Sequence, residues 1–155
     1  MKRLLKLYLN TFDGLSREVW WLALITLINR AGTMVIPFLS LYLTEDLEFS
    51  PSTVGSIMAA FGLGSVVGSW LGGKLTDKIG YYKIMVFSLF VSGLLFVLLQ
   101  YLKTVLSLSI GIFVLMLVAD MFRPAMFVAM SVYSKPENKT RSVTLIRLAI
   151  NLGFS

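Results

Sequence analysis

Long apolar runs separated by short polar clusters dominate the pattern of this chain. A helix needs roughly 20 residues to cross a hydrocarbon core about 30 Å thick. Four runs meet that length, at 19–43, 54–73, 84–102 and 105–133. A fifth starts at Ser142 and reaches 155, too short to span. The pattern predicts an all-α fold: a polytopic transmembrane helical bundle over 19–155, with four complete spans and the start of a fifth. Residues 1–18 precede it as a separate segment. A natural end inside the membrane would strand helical carbonyls and a carboxylate in lipid, so the chain reads as a truncated protein.

Polar residues within the spans hold most of the information. Thr26, Arg30, Thr33, Pro37 and Ser40 are spaced four, three, four and three apart, which places them on one face of the first span. Pro37 also removes a backbone donor, predicting a kink. Ser56, Ala60, Gly64, Gly68 and Gly72 form an i, i+4 series of small residues in the second span, a face suited to close helix packing. In the fourth span Asp120 and Arg123 lie one turn apart, ahead of Pro124. At about 1.5 Å per residue, Arg30 and Asp120 both fall roughly 16–20 Å from the same membrane boundary. Two readings follow: a static ion pair that neutralises buried charge, or a substrate or proton site. Asn29 adjoins Arg30, while Arg147 and Asn151 share another face with Thr144 and reach a depth near Arg123.

Composition agrees with the pattern. With 57% hydrophobic and 14% charged residues, and a mean hydropathy of +0.82, a water-soluble fold is excluded. The absence of Cys and His removes thiol nucleophiles, imidazole bases and the common zinc sites, so neither a metal nor a cofactor is expected. A net charge of +6 would suggest nucleic acid in a soluble chain, but its distribution argues otherwise. Lys2, Arg3, Lys6 and Arg17 precede the first span; Lys74, Lys78 and Lys83 join the second to the third; Lys135, Lys139 and Arg141 join the fourth to the fifth. Lys103 lies on the other side with Glu45, Asp46 and Glu48. Positive loops stay inside, so the N-terminus is expected to be cytoplasmic, in a bacterial inner membrane, with the lipid bilayer as partner and no nucleic acid. Trp20, Trp21, Tyr82, Tyr101 and Tyr133 suit interfacial anchors. Lys6, Asn10, Asp13 and Arg17 recur at helical spacing, so residues 1–18 read as an interfacial amphipathic helix, not a signal peptide. The sequon Asn138-Lys139-Thr140 falls on the cytoplasmic side and reads as chance.

The link between the second and third spans reads Gly73-Lys74-Leu75-Thr76-Asp77-Lys78-Ile79-Gly80-Tyr81-Tyr82-Lys83. It resembles the glycine, aspartate, basic, glycine, basic signature between helices two and three of major facilitator superfamily transporters. The resemblance covers the whole chain in layout, including the charged helix four and the Arg147-Leu-Ala-Ile-Asn151-Leu-Gly153 stretch in helix five. It implies the N-terminal half of a transporter, interrupted in helix five, with a second half as partner. It also implies a gating role for Gly73, Asp77, Lys78, Gly80 and Lys83: Asp77 would meet a helix of the second half, and Lys78 and Lys83 would join a charge cluster. Tyr81 and Tyr82 depart from the family's usual basic residues. Residues 29–50 also look like helix one of proton-coupled peptide transporters, although Thr26 and Asn29 replace that family's two glutamates.

Secondary active transport of a small solute by alternating access is the function the resemblance implies, using Arg30, Asp120, Arg123, Asn29, Thr33, Arg147 and Asn151 as a substrate or proton path. Proton-coupled efflux of amphiphilic compounds is the leading form, with Met116, Phe127 and Met130 as apolar lining; uptake of a sugar, peptide or organic acid is the alternative. Asp120 is the sole carboxylate inside any span, hence the candidate for a proton or other coupling ion. A non-transporting scaffold is a remote third reading. An intramembrane enzyme is disfavoured because no second carboxylate accompanies Asp120.

Overall fold

A computed structural model of the protein describes residue 12 and residues 14–153, with the side chains of Ile36 and Pro37 excepted. The amphipathic segment expected over 1–18 falls largely outside the described residues. The described chain is helical: α1 (Arg17–Thr33), α2 (Val35–Glu45), α3 (Pro51–Ile79), α4 (Tyr81–Leu99), α5 (Val105–Asp120), α6 (Phe122–Tyr133), a 3-10 turn (Pro136–Asn138) and α7 (Lys139–Gly153). Four stretches are long and apolar enough to cross a membrane: Arg17–Glu45, Pro51–Ile79, Tyr81–Leu99 and Val105–Tyr133.

The first and fourth stretches are each interrupted once, at Met34 and at Met121. Each interruption lies three residues ahead of a proline, Pro37 or Pro124. Proline has no N–H for the carbonyl four residues back, Thr33 or Asp120. The backbone tightens in response: Met34 N–H donates to Ala31 O at 3.2 Å and Met121 N–H to Val118 O at 3.3 Å.

The chain forms two compact units, Met1–Met34 with Phe127–Ser155, and Val35–Met126. In the first, α1 packs on α7. The face buried on α7 is Ser142, Leu145, Ile146, Ala149 and Gly153. Gly153 lies so close to α1 that an added Cβ would stand 2.5 Å from Arg30 Cβ and 3.0 Å from Leu27 O. Two polar contacts tie down the unit's chain entry, Ser16 Oγ donating to Tyr133 O at 3.0 Å and Asn138 Nδ2 to Gly14 O at 2.8 Å.

In the second unit, Leu39, Leu43, Val54, Ile57, Leu108, Ile112 and Met116 form the core. Ser50 caps α3 by accepting from Thr53 N–H, with Pro51 in the first turn where its missing donor costs nothing. Thr104 and Ser107 cap α5 reciprocally. The closest packing joins α3 to α5. A Cβ added to Gly64 would strike the carbonyl of Phe113, one on Gly68 the carbonyl of Leu117, and one on Gly72 would lie 2.6 Å from Met121 Cα. Both series advance by four residues in the same direction, so the two helices run parallel with their backbones in contact.

Exposure identifies the solvent. On α4 the hydroxyl-bearing Ser88 is fully buried, while Phe90 two residues on is 74% exposed. The outer face of α3 carries Leu63, Val66 and Trp70. Large apolar residues on the outer faces, beside an interior that also takes in hydroxyls, depart from the order that water imposes, and lipid accounts for it.

Candidate functional site

Asp120 is the last residue of α5 and is 5% exposed. Among the described residues it is the buried carboxylate, and Ser65 Oγ of α3 donates to its Oδ2. A serine side chain is short, so the bond depends on the glycine contact that draws α3 against α5. From α4, Ser88 Oγ donates to Val118 O at 2.7 Å and lies 3.2 Å from Ala119 O. These carbonyls end α5 where Pro124 has broken the ladder, and Ser88 holds the backbone beside the acid. Neither Ser65 nor Ser88 figured among the sequence candidates. Their signal is slight: Ser65 follows Gly64, and Ser88 with Ser92 makes a buried i, i+4 pair on an otherwise apolar helix.

Arg123, expected to share the face of Asp120, is exposed. The turn at Met121 falls between the two residues, so continuous helical spacing no longer sets their relative faces. Met116, expected as a lining residue, belongs to the packed core. Met130 is 7% exposed and equally packed, whereas Phe127 is open at 54%.

Arg30 belongs to the first unit and Asp120 to the second. On α1, Thr26, Arg30 and Thr33 of the predicted stripe are buried, and Asn29, which the spacing had not included, is buried with them. Two of these residues are spent locally, because Thr26 Oγ1 donates to Leu22 O and Thr33 Oγ1 to Arg30 O, each at 2.7 Å. Ser40 is half-buried, and the side chain of Pro37 lies outside the described residues. On α7, Thr144, Arg147 and Asn151 occupy the exposed face opposite the one that meets α1.

The segment expected as a loop at 73–83 is mostly helix. At 29 residues, or about 43 Å, α3 outruns a hydrocarbon core and carries Gly73, Asp77 and Lys78 on its final turns. Polarity ends a hydrophobic run without ending a hydrogen-bonded helix, so hydropathy placed the boundary too early. Trp70 and Lys74 mark the transition, with Lys74 Nζ 4.0 Å from the Trp70 ring centroid. The break itself is Gly80 alone, at φ 90° and ψ 149°, a conformation almost restricted to glycine. Lys83 follows in the first turn of α4, and Asp77, Lys78, Gly80 and Lys83 are all exposed.

A helical bundle with buried charge, proline-broken spans and this glycine-linked motif has a match among known families, since the profile of the Major Facilitator Superfamily covers residues 22–155. The chain belongs to the major facilitator superfamily. Among relatives, it is 27% identical over 89 residues to the uncharacterized MFS-type transporter YceJ of Bacillus subtilis (strain 168), covering 57% of this chain and 23% of YceJ. It is 36% identical over 72 residues to the uncharacterized MFS-type transporter YqjV of the same organism, covering 46% of this chain and 18% of YqjV. The chain thus aligns with less than a quarter of the length of either relative. No solved structure matches it significantly. As a superfamily member with four stretches among the described residues long and apolar enough to cross a membrane, it is an integral membrane protein.

Proposed function

We propose that this chain is the N-terminal part of a secondary transporter that moves a small solute by alternating access, coupled to proton movement at Asp120. The observation that carries the reading is the burial of that carboxylate at a proline-made helix end, where its hydrogen bond comes from a neutral serine hydroxyl. A buried membrane carboxylate is costly unless its charge has a use, and such groups mark ion and substrate paths. Asn29 and Arg30 on α1, and Arg147 and Asn151 on α7, are the polar residues of the other unit proposed for solute or proton contact. Asp77, Lys78 and Lys83, beyond the apolar part of the spans, serve gating between the two halves of the transporter. Efflux of amphiphilic compounds in exchange for protons extends this reading, and Phe127 is its remaining apolar lining residue.

The test uses the full-length gene product in proteoliposomes under an imposed pH gradient. Asp120→Asn keeps the size of the side chain and removes its ability to change charge. Gradient-driven accumulation of a test amphiphile should disappear while downhill exchange continues. Accumulation that survives Asp120→Asn would overturn the coupling role; loss of folded protein and exchange together would make Asp120 a structural partner only.

A further inference from the structure

We propose that Ser65 is the positioning residue for Asp120, a hydroxyl that stays hydrogen-bonded to the carboxyl group in both of its protonation states; this rests on the coupling role of Asp120 given above. Two linked features of the fold support it. The first is the direct bond from Ser65 Oγ to Asp120 Oδ2 across the α3–α5 interface. The second is the approach of those helices at Gly64, Gly68 and Gly72, which brings the backbones into contact on either side of Ser65 along α3.

The chemistry of the partner decides the role. An arginine or lysine only donates, so it can bond a carboxylate but cannot accept from the O–H that forms when the acid takes up a proton. A serine hydroxyl has one proton and two lone pairs. It donates to the ionised carboxylate, then rotates and accepts from the carboxylic acid. The carboxyl group can therefore gain and lose a proton in a lipid-surrounded site and keep a hydrogen bond to Ser65 in either state. Ser88 supplies the fixed reference on the other side, since its bonds to Val118 O and Ala119 O hold the last turn of α5 while the side chain changes state.

The experiment compares Ser65→Ala, Ser65→Thr and Ser65→Cys in the full-length gene product, each alone and combined with Asp120→Asn. Infrared difference spectra on a pH jump read the carboxyl bands of Asp120, assigned by their loss in Asp120→Asn. Ser65→Ala should shift those bands and lower gradient-driven accumulation about tenfold, the usual effect of removing a hydrogen bond to a charged group. Downhill exchange should continue, Ser65→Thr should restore both readouts, and Ser65→Ala should change nothing further in the Asp120→Asn background. Should Ser65→Ala not fold, Ser65→Cys, which keeps the shape with a weaker donor, should shift the bands in the same sense. Unmoved bands and normal accumulation in Ser65→Ala, alongside lost accumulation in Asp120→Asn, would overturn the role of Ser65 and leave that of Asp120 standing. Equal losses of folded yield from Ser65→Ala with and without Asp120→Asn would also overturn it. Accumulation that persists in Asp120→Asn would defeat both readings.

Discussion

Gly68 lies directly against the backbone of Leu117, so close that a single added carbon would collide with the Leu117 carbonyl oxygen. Backbone cannot move aside as a flexible side chain can, so this contact sets the separation of α3 and α5. Substituting Gly68→Leu should force the helices apart, costing about 1–3 kcal/mol, in line with overpacked cores. Thermal unfolding in detergent and the monodisperse yield on size exclusion measure it. Normal yield and melting would show that the face meets lipid instead.

The same separation governs the reach of Ser65. Gly68→Ala, milder than leucine, should weaken the Ser65–Asp120 bond before it unfolds the protein. Asp120 carboxyl bands should shift toward those of Ser65→Ala in the fraction that folds. Unchanged bands in a folded Gly68→Ala protein would separate the glycine contact from the acid's geometry.

At Gly80 the expected effect is conformational. Nothing crowds a Cβ added there, but φ 90° with ψ 149° is strained for any L side chain. Gly80→Ala should destabilise the link between α3 and α4 by about 1–3 kcal/mol. Protease susceptibility around Ile79–Tyr81 and thermal unfolding check this. Gly55, in the interior of α3 with open space around it, is the control whose Ala variant should be neutral or stabilising.

Asp77 is exposed on the last turns of α3, beyond the apolar part of the span. Asp77→Asn in the full-length gene product should lower the transport rate with little change in equilibrium solute binding, because the motif is assigned to switching and not to the site. Parallel flux and binding titrations decide it. A large loss of affinity at unchanged rate would refute the assignment.

Pro124→Ala should return an N–H to the carbonyl of Asp120 and allow α5 and α6 to run on as one helix. The expected result is a higher melting temperature and transport reduced by up to about 100-fold, the scale reached when a reacting group is displaced by about an ångström. Helical content by circular dichroism should rise slightly. Full transport in a stabilised Pro124→Ala protein would show that the break does not position Asp120.

The membrane spans, their number and the buried face of α1 were legible in the sequence, because run length and helical spacing are properties of one segment at a time. Thr26, Arg30 and Thr33 share a face whatever α1 packs against, and the 3.6-residue period is enough to say so. The glycine series at 64, 68 and 72 likewise announced a close contact. It could not name Phe113, Leu117 and Met121 as the other side, since spacing within one helix carries no information about the level at which a second helix meets it. Ser65 became a partner of Asp120 only through that level and separation. Arg123 shows the converse: helical spacing put it beside Asp120, but the break at Met121 interrupts that spacing, and Arg123 is exposed. The end of α3 was misplaced because hydropathy reports which solvent a side chain prefers, whereas a helix ends where its backbone changes direction, here at the positive φ of Gly80.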